Sequence, residues 1–109
     1  MDKNTEISDC ISSLEDAIKI REKARLENKT FVITNGCFDL LHSGHVFSLK
    51  QASSLGDYLW VLINSDKSVQ MLKGDNRPII PEIDRVYVLS NLSFVSGVTL
   101  FNTKRLDKE

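Results

Sequence analysis

The run Tyr58-Leu59-Trp60-Val61-Leu62-Ile63 constrains this chain more than any other stretch, because apolar side chains fall on both faces of a period-2 pattern. A strand apolar on both faces is one covered on both sides, the habit of a central strand in a parallel sheet. Parallel neighbours require crossover connections, and the flanking sequence supplies them. Ser12 with Glu15 makes a capping-box pattern ahead of Leu14, Ala17, Ile18 and Ala24, predicting a helix over about 13–27 that Asn28-Lys29 ends. Phe31 to Thr34 reads as a first strand, and Val46, Leu49, Ala52 and Ser53 as a helix that Gly56 closes. Asn64-Ser65-Asp66 reads as a turn and N-cap into a short helix, Lys73 to Pro78 as a polar loop, and Pro81 as the start of a further helix to about Leu92. Residues from Phe94 to Phe101 supply a last strand around Ser96-Gly97. The order α-β-α-β-α-α-β predicts a Rossmann-like α/β domain, a parallel sheet with right-handed crossovers and helices on both faces.

Composition bounds the partners. With 41% hydrophobic residues in 109, the chain can build one modest core, and disorder is excluded. Fourteen Lys+Arg against fifteen Asp+Glu leave a formal charge of −1, so no global field would hold it on nucleic acid or a membrane. Cys10 and Cys37 show no disulfide or zinc spacing, which predicts a reducing, cytoplasmic setting. The leader Met1 to Glu6 is polar, and no stretch approaches the roughly 18 apolar residues of a membrane span, so neither export nor membrane anchoring is expected. The chain reads as a single domain, with the leading helix within 1–29 and the α/β core over 30–109.

The chemistry concentrates between Phe31 and His45. Asn35-Gly36 permits a sharp turn out of the sheet, Ser43 reads as an N-cap, and Gly44 leaves room for a ligand. His42 and His45 then flank the first turn of the next helix, where backbone N–H groups and the positive dipole end favour an anion. An isolated His-x-x-His is by default an incidental pair, but the preceding strand, glycine and helix start favour the functional reading. Ligands of open parallel sheets bind beyond the carboxyl ends of the strands, so Asn35 to His45, Asn64 to Asp66 and the Lys73 loop are expected at one crevice. A third ligand at metal spacing is absent from the sequence around the histidines, so no protein-held metal is expected.

Gly36-Cys37-Phe38-Asp39 followed by His42-Ser43-Gly44-His45 resembles the signature of cytidylyltransferase-like nucleotidyltransferases. Gly56-Asp57, Asn64-Ser65-Asp66-Lys67-Ser68-Val69, Leu72-Lys73-Gly74, Arg77-Pro78-Ile79 and Asp84-Arg85 narrow this to the adenylyltransferase domain of bacterial heptose-phosphate enzymes, over roughly residues 12–101. The resemblance implies transfer of AMP from ATP to a sugar 1-phosphate, with Mg²⁺ accompanying ATP and pyrophosphate released. His42 and His45 would be catalytic, stabilising the attacked and departing phosphates. Gly36, Cys37 and Phe38 would line the nucleotide by main-chain contact, with Lys73 and Arg85 on the triphosphate and Asp39, Gly44 and Asp66 as structural support. Asp39 would cap the turn or orient a histidine, and Asp66 is a helix N-cap or a ligand contact.

The resemblance also implies a possible homodimer, pairing through the sheet edge after the last strand. Departures include Ser53-Ser54 before Leu55-Gly56-Asp57, and Ser93 and Ser96 where the family tends to have an arginine and an aspartate. The C-terminal portion of the family fold, with its Ser/Thr-rich loop, is expected to be absent. Two alternatives stand beside the adenylyltransferase: a cytidylyltransferase acting on a small alcohol phosphate such as glycerol 3-phosphate, and a catalytically impaired nucleotide-binding or assembly domain.

Overall fold

The computed structural model describes residues 10–102. The polar leader and the tail after Asn102 lie outside the described residues. The elements run α1 (Leu14–Leu26), β1 (Phe31–Gly36), α2 (Ser43–Ser53), β2 (Tyr58–Asn64), α3 (Asp66–Lys73), α4 (Glu82–Ser90) and β3 (Gly97–Phe101). The three strands form one parallel sheet in the order β1-β2-β3, with Phe31 opposite Tyr58 and Val61 opposite Val98. The run that was apolar on both faces is therefore the central strand.

Alternation along β2 separates two packing layers. Leu59, Val61 and Ile63 join Val98 under Leu49 of α2 and Val86 and Leu89 of α4, and this is the main core. Trp60 and Leu62 face the other way, with Phe31 and Ile33, toward Leu14, Ala17 and Ile18 of α1. Trp60 is buried, and its indole N–H donates to Thr99 Oγ1 at 2.9 Å, satisfying the one polar atom of the ring. A Cβ on Gly97 would stand 2.4 Å from Trp60 Cη2, so this glycine makes room for the indole. Coverage is uneven, for Ile33 remains 54% exposed beside the open edge of β1.

Several boundaries move for local reasons. The capping box of α1 is Ser13 with Asp16, one residue after the expected pair: Ser13 Oγ accepts from the Asp16 N–H at 3.0 Å, and Asp16 accepts from the Ser13 N–H. Ser12 instead gives its backbone N–H to the Val98 carbonyl, tying the chain ahead of α1 to the outer side of β3. Among the described residues, no segment hydrogen-bonds the outer side of β1 in the same way. Ser65, not Asp66, caps α3, and Pro81 sits at the cap of α4, not its first turn. The last strand begins at Gly97, because the Ser96 side chain turns in to accept from the Leu59 N–H.

Candidate functional site

After β1 the chain leaves the sheet through Phe38, which adopts φ 50°, a left-handed conformation uncommon outside glycine and frequent at functional turns. A Cβ on Gly36 would lie 2.9 Å from Phe38 Cε2, so the glycine first accommodates the folded-back ring. That ring meets His45 edge-on, with centroids 5.8 Å apart. A histidine of the motif is thereby held from one side by an aromatic edge.

The other side is held by the second histidine. His42, not Ser43, is the N-cap of α2: its Nδ1 accepts from the Gly44 N–H at 3.0 Å, while His45 Nδ1 accepts from the His42 N–H at 3.2 Å. The imidazole takes the acceptor role normally given to a serine oxygen and forms a reciprocal box with its neighbour one turn on. A Cβ on Gly44 would stand 2.8 Å from His42 Cε1, so Gly44 allows this fold-over in addition to any ligand approach.

The arrangement fixes the chemistry of both rings. Each Nδ1 is an acceptor, so each neutral ring carries its proton on Nε2 and offers that N–H outward. The ring centroids are 4.2 Å apart, which makes a paired donor. The backbone donors expected there are largely spent: Gly44 N–H on His42 Nδ1, and the His45 and Val46 N–H groups on the His42 carbonyl. The imidazole edges replace them.

His42 and His45 line a cleft of about 370 Å³ with Cys37, Phe38, Lys73 and Arg77. Asp39 lies beneath it and is 5% exposed. Of the two structural roles expected for it, it does not orient a histidine. Its carboxylate accepts from the Ile79 N–H at 2.8 Å, the Ile80 N–H at 3.0 Å and Arg77 Nε, pinning the α3–α4 loop to the motif turn. Burial pushes the Asp39 carboxyl up, but the Ile80 N–H, the Arg77 guanidinium and the Ile79 N–H outweigh it and hold the group below the usual carboxylate range. Cys37 gives its thiol to Asn64 Oδ1 at 3.6 Å.

Arg85, read from the sequence as a triphosphate ligand, is placed elsewhere. Its side chain is 1% exposed. Nε donates to the Ile80 carbonyl at 3.0 Å, Nη1 to the Cys37 and Asn64 carbonyls at 2.7 Å each, and Nη2 to Asp66 Oδ1 at 2.7 Å. Asp66 and Glu82 exchange backbone and side-chain hydrogen bonds at 2.7 Å in both directions. Arg85 is therefore the buried centre of a knot that joins the ends of β1 and β2 to α3 and α4, with no donor left for a ligand, whereas Asp66 joins it through Oδ1 and keeps a part-exposed side chain on a neighbouring cavity.

Sequence reasoning passed over Arg77 as part of a polar loop. Its partner Asp39 lies 38 residues earlier in the chain, and only the structure shows that this carboxylate is buried and calls for a cation. Among the described residues no three His, Cys, Asp or Glu side chains gather as a metal site. Likewise no helix among them is long and apolar enough to cross a membrane.

The parallel α/β sheet thus brings paired imidazoles from the turn after β1 into one cleft with two cations, Lys73 at the end of α3 and Arg77 in the loop that follows. The sequence profile of the cytidylyltransferase-like family matches residues 33–109, and the chain belongs to that family. It is 44% identical over 98 residues to the bifunctional protein HldE of Desulfatibacillum aliphaticivorans, covering 90% of this chain and 20% of that protein. With HldE of Helicobacter pylori strain P12 the identity is 54% over 76 residues, covering 70% of this chain and 16% of that protein. The chain thus spans about a fifth of the length of these curated relatives. The crystal structure of the lipopolysaccharide core biosynthesis protein from Thermoplasma volcanium GSS1 superposes with a TM-score of 0.64 at 31% identity, covering 73% of this chain and 64% of that one.

Proposed function

We propose that this domain transfers the adenylyl group of ATP to a sugar 1-phosphate of the heptose type, in the supply of a lipopolysaccharide precursor. The single observation that carries the reading is the reciprocal His42–His45 box, which engages both Nδ1 atoms and leaves the Nε2–H groups unspent on two rings that line the cleft. In the reaction an oxygen of the acceptor phosphate attacks the α-phosphorus of ATP, the bond to the β-phosphate bridging oxygen breaks, and pyrophosphate departs. No covalent enzyme intermediate is needed. Charge grows on the non-bridging and departing oxygens, where fixed donors lower the barrier most. His42 and His45 serve those oxygens, and Lys73 adds a full positive charge at the cleft wall. Gly36, Cys37 and Phe38 line the nucleotide through their main chain. In this reading Mg²⁺ would enter on the phosphates of ATP.

This reading places the domain in the cytoplasm, where ATP is available and Cys10 and Cys37 remain thiols. It includes a homodimer, which light scattering that finds only monomer at high concentration would contradict. The test of the activity is pyrophosphate release over a panel of ATP and CTP with heptose 1-phosphate and glycerol 3-phosphate. Turnover confined to ATP with heptose 1-phosphate is the expected result. Turnover of CTP with glycerol 3-phosphate would replace it with the small-alcohol reading, and nucleotide binding without any turnover would leave an impaired binding domain.

A further inference from the structure

Arg77 is half-buried at the cleft wall and only partly used. Its Nε meets Asp39, and its Nη atoms donate to no described residue. An arginine whose whole task is to neutralise a buried carboxylate does so best with two parallel N–H groups in a fork. Here Asp39 already takes two backbone N–H bonds, from Ile79 and Ile80, and leaves only the Nε edge a place. The side chain keeps 35% of its surface open and lines the same cleft as His42, His45 and Lys73. It also forms the wall toward a neighbouring polar cavity of about 390 Å³ that Lys67, Gln70 and Pro78 line.

We propose that Arg77 is a phosphate-binding residue of this cleft, presenting its Nη edge to the anion while Asp39, a positioning residue, fixes the guanidinium plane through Nε. This deepens the adenylyltransferase reading and rests on it. The chemical logic is that of a preset clamp. Held at Nε, the guanidinium loses less freedom when it closes on a phosphate, and it supplies a directed two-donor edge that Lys73 cannot. With the Asp39 charge spent on the loop and on Nε, the cleft wall keeps a net positive lining for a polyphosphate.

The test is calorimetric titration of the protein with inorganic pyrophosphate and with ATP, in the parent and in Arg77→Gln, Arg77→Lys and Asp39→Asn. Loss of a charge-assisted pair predicts pyrophosphate binding about tenfold weaker in Arg77→Gln. Arg77→Lys recovers part of the loss, and Asp39→Asn loses about threefold although Arg77 keeps its charge. Circular dichroism of each variant separates these losses from unfolding, and Arg77→Lys preserves the test if Arg77→Gln fails to fold. Equal pyrophosphate affinity in parent, Arg77→Lys and a folded Arg77→Gln would overturn the role of Arg77 alone. A parent that binds neither pyrophosphate nor ATP would overturn the cleft reading and the inference together.

Discussion

Arg77, in the loop between α3 and α4, and Arg85, in the first turns of α4, lie eight residues apart, and the protein uses them in opposite ways. Arg85 is enclosed and gives its donors to three backbone carbonyls and Asp66. Arg77 is half-open and gives one donor to Asp39. The first region is a knot that fixes where β1, β2 and the loop end. The second is a surface built on the knot, with donors left over. Charge alone does not tell a binding residue from a structural one; the number of donors already satisfied does.

That contrast is open to direct challenge. Arg85→Ala is predicted to cost about 3 kcal/mol or more in denaturant unfolding, because it leaves several buried carbonyls without a donor. His42→Ala removes a helix cap and is predicted to cost only about 1 kcal/mol, while pyrophosphate release falls about a hundredfold. If the Arg85 variant unfolds at the parent midpoint, the knot carries no weight. A smaller effect concerns acid. Asp39 titrates below its unfolded range in the folded state, so its stabilisation is complete at neutral pH and is lost as the pH falls below about 4. Replacing it with Ala leaves the Ile79 and Ile80 N–H groups without a partner, a loss of about 2 kcal/mol. The variant's stability is predicted to fall less steeply than the parent's below that pH, and parallel acid profiles would refute the assignment.

The layering of the fold was legible in the sequence because it rests on periodicity. The doubly apolar β2 run, the α1 stripe and the glycine that ends β1 each report a local physical need. The crevice was legible in part: the turn after β1, both histidines and Lys73 meet at one cleft, whereas Asp66 lines the neighbouring cavity. What escaped was the allocation of hydrogen bonds. Nothing in His-Ser-Gly-His tells whether a serine or an imidazole caps the helix, because both offer an acceptor at the required distance. Arg85 reads as a phosphate ligand until Cys37, Asn64 and Ile80, far away in the chain, bring their carbonyls to it. Asp39 likewise finds its partners about forty residues on, and sequence order does not reveal them.

The central claim is that the Nε2 edges of His42 and His45 face a bound polyphosphate. Nitrogen-15 NMR of the two imidazoles during titration with ATP tests it most directly, since these are the only two histidines in the chain. The predicted result is that both rings hold the Nε2–H tautomer in the free protein, and that both Nε2 resonances shift as ATP saturates. Nδ1-protonated rings, or ATP binding that moves only the residues around the apolar hollow of Leu41, Val88 and Leu89, would contradict it.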